Sequence, residues 1–221
     1  MGLVKVLQTP AHTHTMVVAG EALQLTSHRT AYSAQHKSMF VADVHLGKAA
    51  SFRALGVPVP SGTTQANLNR LSAAMAQFDV QALYFLGDLL HAKAAHNATL
   101  LGSLAQWRTQ HAQVRMVLVR GNHDSKAGDP PAYLNIEVVE EPHRLGHLAL
   151  CHHPQHISGA FALAGHEHPV VYLGGKGRDR ARLPCFVRHG ELLVLPSFGE
   201  FTGGHVVDTN QGDEIIPLVP F

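Results

Sequence analysis

Five short stretches of this 221-residue chain carry side chains able to hold a divalent cation: Asp43-Val44-His45, Gly87-Asp88, Gly121-Asn122-His123-Asp124, Cys151-His152-His153 and Gly165-His166-Glu167-His168. From them, Asp43, His45, Asp88, Asn122, His152, His166 and His168 offer carboxylate, amide and imidazole donors without a thiolate. Oxygen and imidazole nitrogen together suit manganese, iron, zinc or a similar ion. Seven donors are too many for one tetrahedral ion and right for two ions that share a carboxylate. Two ions about 3.5–4 Å apart lower the pKa of a bridging water and stabilise the attacking and leaving oxygens of an in-line displacement at phosphorus. With two aspartates and a bridging hydroxide counted, about one positive charge remains to attract a phosphate.

Residues so far apart in sequence need elements that converge on one point. Each stretch follows a strand-like apolar run: Met39 to Ala42, Ala82 to Leu86, Arg115 to Val119, His147 to Cys151 and Phe161 to Ala164. In open α/β sheets, ligands bind just beyond the carboxyl ends of strands, so five such loops can meet. Between the strands, Leu68, Leu71, Met75 and Phe78 recur at helical spacing from a start near Thr63-Thr64, and Asn97 can cap a second helix carrying Leu101, Leu104 and Trp107. Short β-like runs at Met16-Val18 and Leu23-Thr26 precede them. Beyond residue 130 the pattern is mainly β, with runs at Ile136-Val139, Val170-Leu173, Cys185-Val187 and Leu192-Leu195 punctuated by Gly and Pro. Alternation followed by meander predicts an α/β sandwich of two mixed sheets with flanking helices, as a single domain over residues 1–221.

Composition narrows the class. No apolar run approaches the roughly 18 residues of a membrane span, and no signal-type segment or myristoylation motif opens the chain. Two cysteines, Cys151 and Cys185, make no disulfide framework and no Cys-x-x-Cys zinc pair, so a reducing, cytoplasmic setting is expected. Eighteen histidines in a chain only 15% charged make metal binding a natural use of that residue. Net charge is +1, but from residue 22 to 128 four aspartates face ten Lys or Arg, a bias that favours an anionic substrate.

In order and content, DVH, GD, GNHD, CHH and GHEH resemble the calcineurin-like metallophosphoesterases. ADVHLGKAASFRALGVPVPSGTT from residue 42, GDLLHAK from 87 and LPSFGEFTGG from 195 look, more narrowly, like the PdeM family of ligase-associated DNA-damage-response endonucleases. That resemblance implies a metallophosphoesterase-type α-β-β-α sandwich with two metal ions, usually manganese. One would be held by Asp43, His45, Asp88 and His168, the second by Asp88, Asn122, His152 and His166, with Asp88 bridging. It further implies that His123 approaches the phosphate as general acid or charge stabiliser, that Asp124 orients it, and that His91, in a motif similar to the GDLFH of related nucleases, handles substrate or supports the ligands. At the fourth motif His152 fits the family position, whereas His153 stands where relatives often carry Glu.

Other residues have blander alternatives. Lys48 and Arg53 follow the first motif and are open to substrate contact or to a structural role in the loop. Lys176, Arg178, Arg180 and Arg182 form a dense cationic segment that is either a solvated loop or a contact for a phosphate backbone, the latter favoured for a phosphoesterase. His12 and His14 read as a solvated tail, Cys151 as a buried thiol, and Trp107 with its leucines as core. The expected activity is therefore a metal-dependent phosphodiesterase, a DNA endonuclease working beside a ligase and helicase in repair. The alternative is a phosphodiesterase or phosphatase for a small nucleotide or cyclic diester. No helix-turn-helix or aromatic nucleic-acid motif is visible, which argues against sequence-specific DNA reading.

Overall fold

The parallel strands in the first half of the chain are mostly apolar because both their faces are covered. In Ala82–Leu86, Leu83 and Phe85 face a helical layer while Tyr84 and Leu86 face a second sheet. Met39 and Val41 alternate with Phe40 in the same way, and Met116 and Leu118 with Val117 and Val119. This two-residue period with both sides buried is what a central parallel sheet requires. The computed structural model describes residues 3–4, 13–60, 62–174, 180–208 and 212–219.

The first sheet has seven strands in the order Thr13–Val18, Glu21–Thr26, Ala31–Ser33, Ser38–Val41, Ala82–Leu86, Arg115–Val119 and Ile136–Val139. Its first four are an antiparallel meander, and the last four run parallel. Among the described residues the second sheet has nine. Its main path is Leu3–Val4, Glu214–Pro217, Arg180–His189, Leu192–Val194, Phe161–Ala164, Leu148–Leu150 and His143–Leu145, while Pro169–Gly174 branches off Arg180–His189 and pairs with His205–Val206. Within it, Leu148–Leu150, Phe161–Ala164 and Leu192–Val194 are parallel. Phe40, Tyr84 and Val117 meet Phe161, Phe186 and Leu193 between the sheets. Both sheets are mixed and helices flank the sandwich, as expected.

Helix Thr63–Met75 buries Leu68, Leu71 and Met75 on the outer face of the first sheet. Phe78 lies past its end, packed against the same cluster and stacked on Tyr32 at 4.4 Å. Helix Ala98–Gln110 begins at Asn97, whose side chain accepts from the Leu100 N–H at 3.0 Å. It buries Leu100, Leu104 and Trp107. Two further helices, Lys48–Ala54 and Asn122–Ala127, carry no visible periodicity in sequence. His14 is not in a tail: it sits in the strand Thr13–Val18, with Nε2 3.8 Å from Glu214. His12 lies outside the described residues. No described helix is long and apolar enough to cross a membrane.

Candidate metal centre

The ends of the parallel strands of both sheets bring the five stretches together. Ser38–Val41 leads to Asp43 and His45, Ala82–Leu86 to Asp88, and Arg115–Val119 to Asn122. From the other sheet, Leu148–Leu150 leads to His152, and Phe161–Ala164 to His166 and His168. Asp43, His45, Asp88, His166 and His168 all have positive φ, between 47° and 73°. Non-glycine residues visit that region rarely and at a cost, and clusters of such residues mark sites where geometry is imposed by function.

The glycines of the motifs make room for the ligands. A Cβ on Gly87 would overlap the His152 ring, and one on Gly121 would overlap the Asp88 carboxylate. The G of GD and the G of GNHD are therefore close-approach positions, each serving a ligand from another loop.

Asp88 stands between two groups of donors. Its Oδ2 is 3.6 Å from Nε2 of His45, and its Oδ1 is 3.6 Å from Nε2 of His152. Oδ1 also accepts the His123 N–H at 2.9 Å. Asp43 uses Oδ2 to accept the His166 N–H at 2.9 Å, while its Oδ1 is fully buried without a hydrogen-bond partner among the described residues. That orphaned oxygen lies 3.3 Å from Nε2 of His168. Backbone carbonyls face the opposite nitrogens of two rings: Leu86 O lies 3.1 Å from His152 Nδ1, and Thr202 O lies 3.1 Å from His168 Nδ1. Protons placed there leave each Nε2 bare, the way a second hydrogen bond fixes the tautomer of a ligating histidine. Bare Nε2 of His152 then faces Asn122 Oδ1 at 2.8 Å as well as Asp88. Lone pairs of these nitrogens and oxygens converging on a buried carboxylate are a donor set that a cation satisfies. Asp43, His45 and His168 place donor atoms within 4.8 Å of one another, as do Asp43, Asp88 and His152.

Charge and burial act on these groups in opposite senses. Burial drives the His45 pKa far down, reinforced by Lys48 and the neighbouring imidazoles, so that ring is a neutral donor. Burial also lowers His166, followed by the proximity of His152 and His153. At His168 burial, the largest influence, acts downward, but the Asp43 carboxylate and the Thr202 carbonyl together outweigh it and the net shift is upward.

His123 sits against His91 and the candidate ligand His45, the three rings placing nitrogens within 4.8 Å of one another. Its Nδ1 lies 2.8 Å from the His91 carbonyl oxygen, and its ring stacks on His91 at 5.0 Å and meets His45 edge-on at 5.0 Å. No hydrogen bond among the described residues joins the Asp124 carboxylate to the His123 ring. The Asp124 carboxylate accepts the N–H groups of Gly121, Asp88, Leu89 and Leu90 at 2.6–3.3 Å, tying the GNHD turn to the GDLL turn. Burial, then the charge of Asp88, lifts its pKa to about 6 against those bonds. Of the adjacent pair, His152 is fully buried in the donor cluster, whereas His153 points to Glu141, with Nδ1 2.6 Å from Oε1, and packs on His166 at 4.6 Å. Cys151 is a free, buried thiol, pushed up to about 12 by burial.

Lys48 borders the centre, donating to Thr202 O at 3.4 Å; burial lowers its pKa while Asp43 and Asp88 pull it back up. Arg53 turns away to the carbonyls of Pro60, at 2.7 Å, and Val59, which is the structural role in its loop. Arg182 donates to Gly204 O at 2.8 Å on the exposed hairpin, where Arg180 is also exposed. Lys176 and Arg178 lie outside the described residues.

Several residues the motifs do not mark complete the site. Glu141 Oε2 accepts the N–H groups of His152 and His153, at 2.6 and 2.9 Å. Ser197 Oγ and Gly199 N donate to the Asp43 carbonyl at 3.0 Å. Arg29 and Arg70 both donate to the Phe198 carbonyl, and Arg70 also covers the Phe198 ring. The run LPSFGEFTGG was the trace of Ser197, Phe198 and Gly199 in sequence; no motif marked Glu141, Arg29 or Arg70.

Comparison with known proteins fits this geometry. Residues 36–183 match the family described as calcineurin-like phosphoesterase. The solved structure of a nuclease, MPE, from Pseudomonas putida is 42% identical over 92% of this chain and 96% of that one, with a TM-score of 0.82. A protein of unknown function from Aquifex aeolicus, AQ665, is 19% identical over 63% of this chain and 81% of that one, with a TM-score of 0.41, too distant to add to the argument. No curated protein matches the sequence.

Proposed function

The chain belongs to the calcineurin-like phosphoesterase family, and from that premise we propose that it is a manganese-dependent DNA endonuclease of the cytoplasm, acting with a DNA ligase and a helicase in DNA repair. Hydrolysis of phosphoric esters follows from the family. The observation that carries the metal-dependent part is the division of the Asp88 carboxylate between His45 and His152, with the orphaned Asp43 Oδ1 beside them. The likeness to a nuclease supports a nucleic-acid substrate.

Asp43, His45, Asp88 and His168 would hold one divalent ion, and Asp88, Asn122, His152 and His166 a second. When bound, such a pair supplies an activated water and positive charge at phosphorus. The protein's own side chains do the rest. Leu86 and Thr202 carbonyls keep His152 and His168 in the tautomer that exposes Nε2. With Nδ1 of His123 held against the His91 carbonyl, a protonated ring has Nε2–H as its remaining donor, available to the leaving oxygen. Lys48 adds positive charge at the edge.

A panel with added manganese, comparing single-stranded DNA, duplex DNA and small diesters, tests this reading. Internal cleavage of DNA is expected. Efficient hydrolysis of nucleotide or cyclic diesters without any cutting of DNA would replace it with the small-substrate reading.

A further inference from the structure

The hairpin that begins immediately after His168 has one buried and one open face. Register pairs Val170 with Pro184, Tyr172 with Arg182 and Gly174 with Arg180, so these pairs share a face. Between them, Val171, Leu173 and Cys185 turn to the other side and pack with Val187 and Ile215. The open face thus presents Tyr172, 46% exposed, beside two exposed arginines. At its inner end lies a cleft of about 410 Å³ bounded by His168, Val170, Arg182, Pro184, Phe201 and Thr202. Gly204 presses its backbone against Val170 and Arg182, where a Cβ would not fit, and so seats the 199–204 loop on the hairpin.

Phe201 is the unusual member. It is 44% exposed and holds φ at 60°, a conformation that a bulky residue adopts only when the surroundings impose it. Its neighbour Thr202 gives its carbonyl to the candidate ligand His168. An exposed, strained aromatic is thus fixed beside the metal centre, and a second aromatic lies farther out on a cationic face. Arg180 and Arg182, same-face neighbours along their strand, are about 6.6 Å apart, a step over which an extended nucleic-acid strand advances by about one nucleotide. A second cleft, lined by His166, Glu167, His189, His205, Val207 and Asp208, has two carboxylates and no Lys or Arg, whereas the cleft at Phe201 has one carboxylate, Glu200, with Arg29 and Arg182, and so suits a phosphodiester better.

We infer that Phe201 and Tyr172 are stacking positions for unpaired bases of a nucleic-acid strand that leaves the metal centre along the open face of this hairpin, with Arg182 and Arg180 facing its phosphates. The inference rests on the nuclease reading and makes it more specific: a duplex, whose bases are already stacked on one another, cannot use these aromatics. Every base offers a π face, so the track is indifferent to sequence.

The test measures inhibition of bis(p-nitrophenyl) phosphate hydrolysis by a short single-stranded oligonucleotide and by an abasic strand of equal length, with anisotropy of the labelled strands as a direct second measurement. The manganese-loaded wild type should hold the base-bearing strand more tightly than the abasic one. Phe201→Leu and Tyr172→Leu should each weaken the base-bearing strand by about 5- to 150-fold, leave the abasic strand unaltered, and keep the salt slope. Phe201→Trp should restore the preference. Arg180→Ser with Arg182→Ser should instead weaken both strands and flatten the salt dependence. Equal binding of the two strands by the wild type, or an unchanged preference in both leucine variants, overturns the inference while leaving the nuclease reading in place. Failure of any strand to bind overturns both.

Discussion

Nδ1 of His123 lies 2.8 Å from the backbone carbonyl oxygen of His91, so the candidate proton donor is oriented by a main-chain atom rather than by an acid. His123→Ala should keep its metal content and lower kcat by roughly 10²–10⁴-fold, the range for loss of a general acid. The loss should shrink for a nitrophenyl leaving group, which needs little protonation. His91→Ala retains the carbonyl and removes only the stacked ring, so its loss should be smaller. Steady-state kinetics on both leaving groups, with elemental analysis, checks the order.

Asp88→Asn replaces the carboxylate placed between His45 and His152. Bound metal should fall and activity should drop by more than the roughly 10–100-fold typical of a residue one contact removed from a metal. A full complement of metal and normal turnover would falsify the shared-carboxylate arrangement.

Glu141 is such a residue, holding the main chain of His152 and His153. Glu141→Gln keeps the shape but exchanges one oxygen for an NH₂ group, and should weaken metal binding by about 10–100-fold while the fold persists. A metal titration monitored by activity, beside a far-UV spectrum, distinguishes this from unfolding.

Gly87 and Gly190 both have positive φ, but only Gly87 is pressed against a ligand. Gly190→Ala should cost about 1–2 kcal/mol of backbone strain. Gly87→Ala should cost more and should also expel metal, because the new methyl occupies the place of the His152 ring. Melting temperatures and metal content of the two proteins give the comparison.

His111 supplies a pH dependence away from the metal centre. Burial, then the charge of Arg108, lowers its pKa. Ser72 Oγ accepts from Trp107 Nε1 at 2.9 Å and lies 2.9 Å from His111 Nε2, to which it can donate when the ring is neutral. Above the ordinary value of about 6.5 both folded and unfolded chains are neutral at this position, and its contribution to stability is fully present. As pH falls below that value the unfolded chain takes up the proton first, so stability is lost until the folded value is passed. His111→Gln should therefore lose less melting temperature than the wild type between about pH 7 and pH 5. Parallel acid shifts in the two proteins would remove His111 from the account.

What could be read in advance was whatever residue type encodes. Ala82–Leu86 and Arg115–Val119 are visible as apolar runs because both their faces are buried, and the ligands are visible because few residue types bind metal and these follow strands. Ala31–Ser33 and His143–Leu145 are three residues each, too short to show a period. Helix Lys48–Ala54 buries only Ala49 and starts at Gly47 without a side-chain cap. The contacts of His123 with His91, of His168 with Thr202 and of His152 with Leu86 use carbonyl oxygens, which every residue possesses, so nothing in the letters betrays them. Asp124 shows the converse: its letter suggested a partner for His123, yet four nearby N–H groups claimed its carboxylate.

Similarity to the family spans residues 36–183 and includes every candidate ligand, but Ser197 and Gly199 hold the Asp43 main chain and Thr202 holds the His168 ring. Leu192–Val194, the strand that pairs with Phe161–Ala164, also lies past that span. A fragment trimmed to the region of shared sequence would keep all seven donors and lose the struts that aim two of them. The smallest unit worth expressing is therefore longer than the smallest unit that can be aligned.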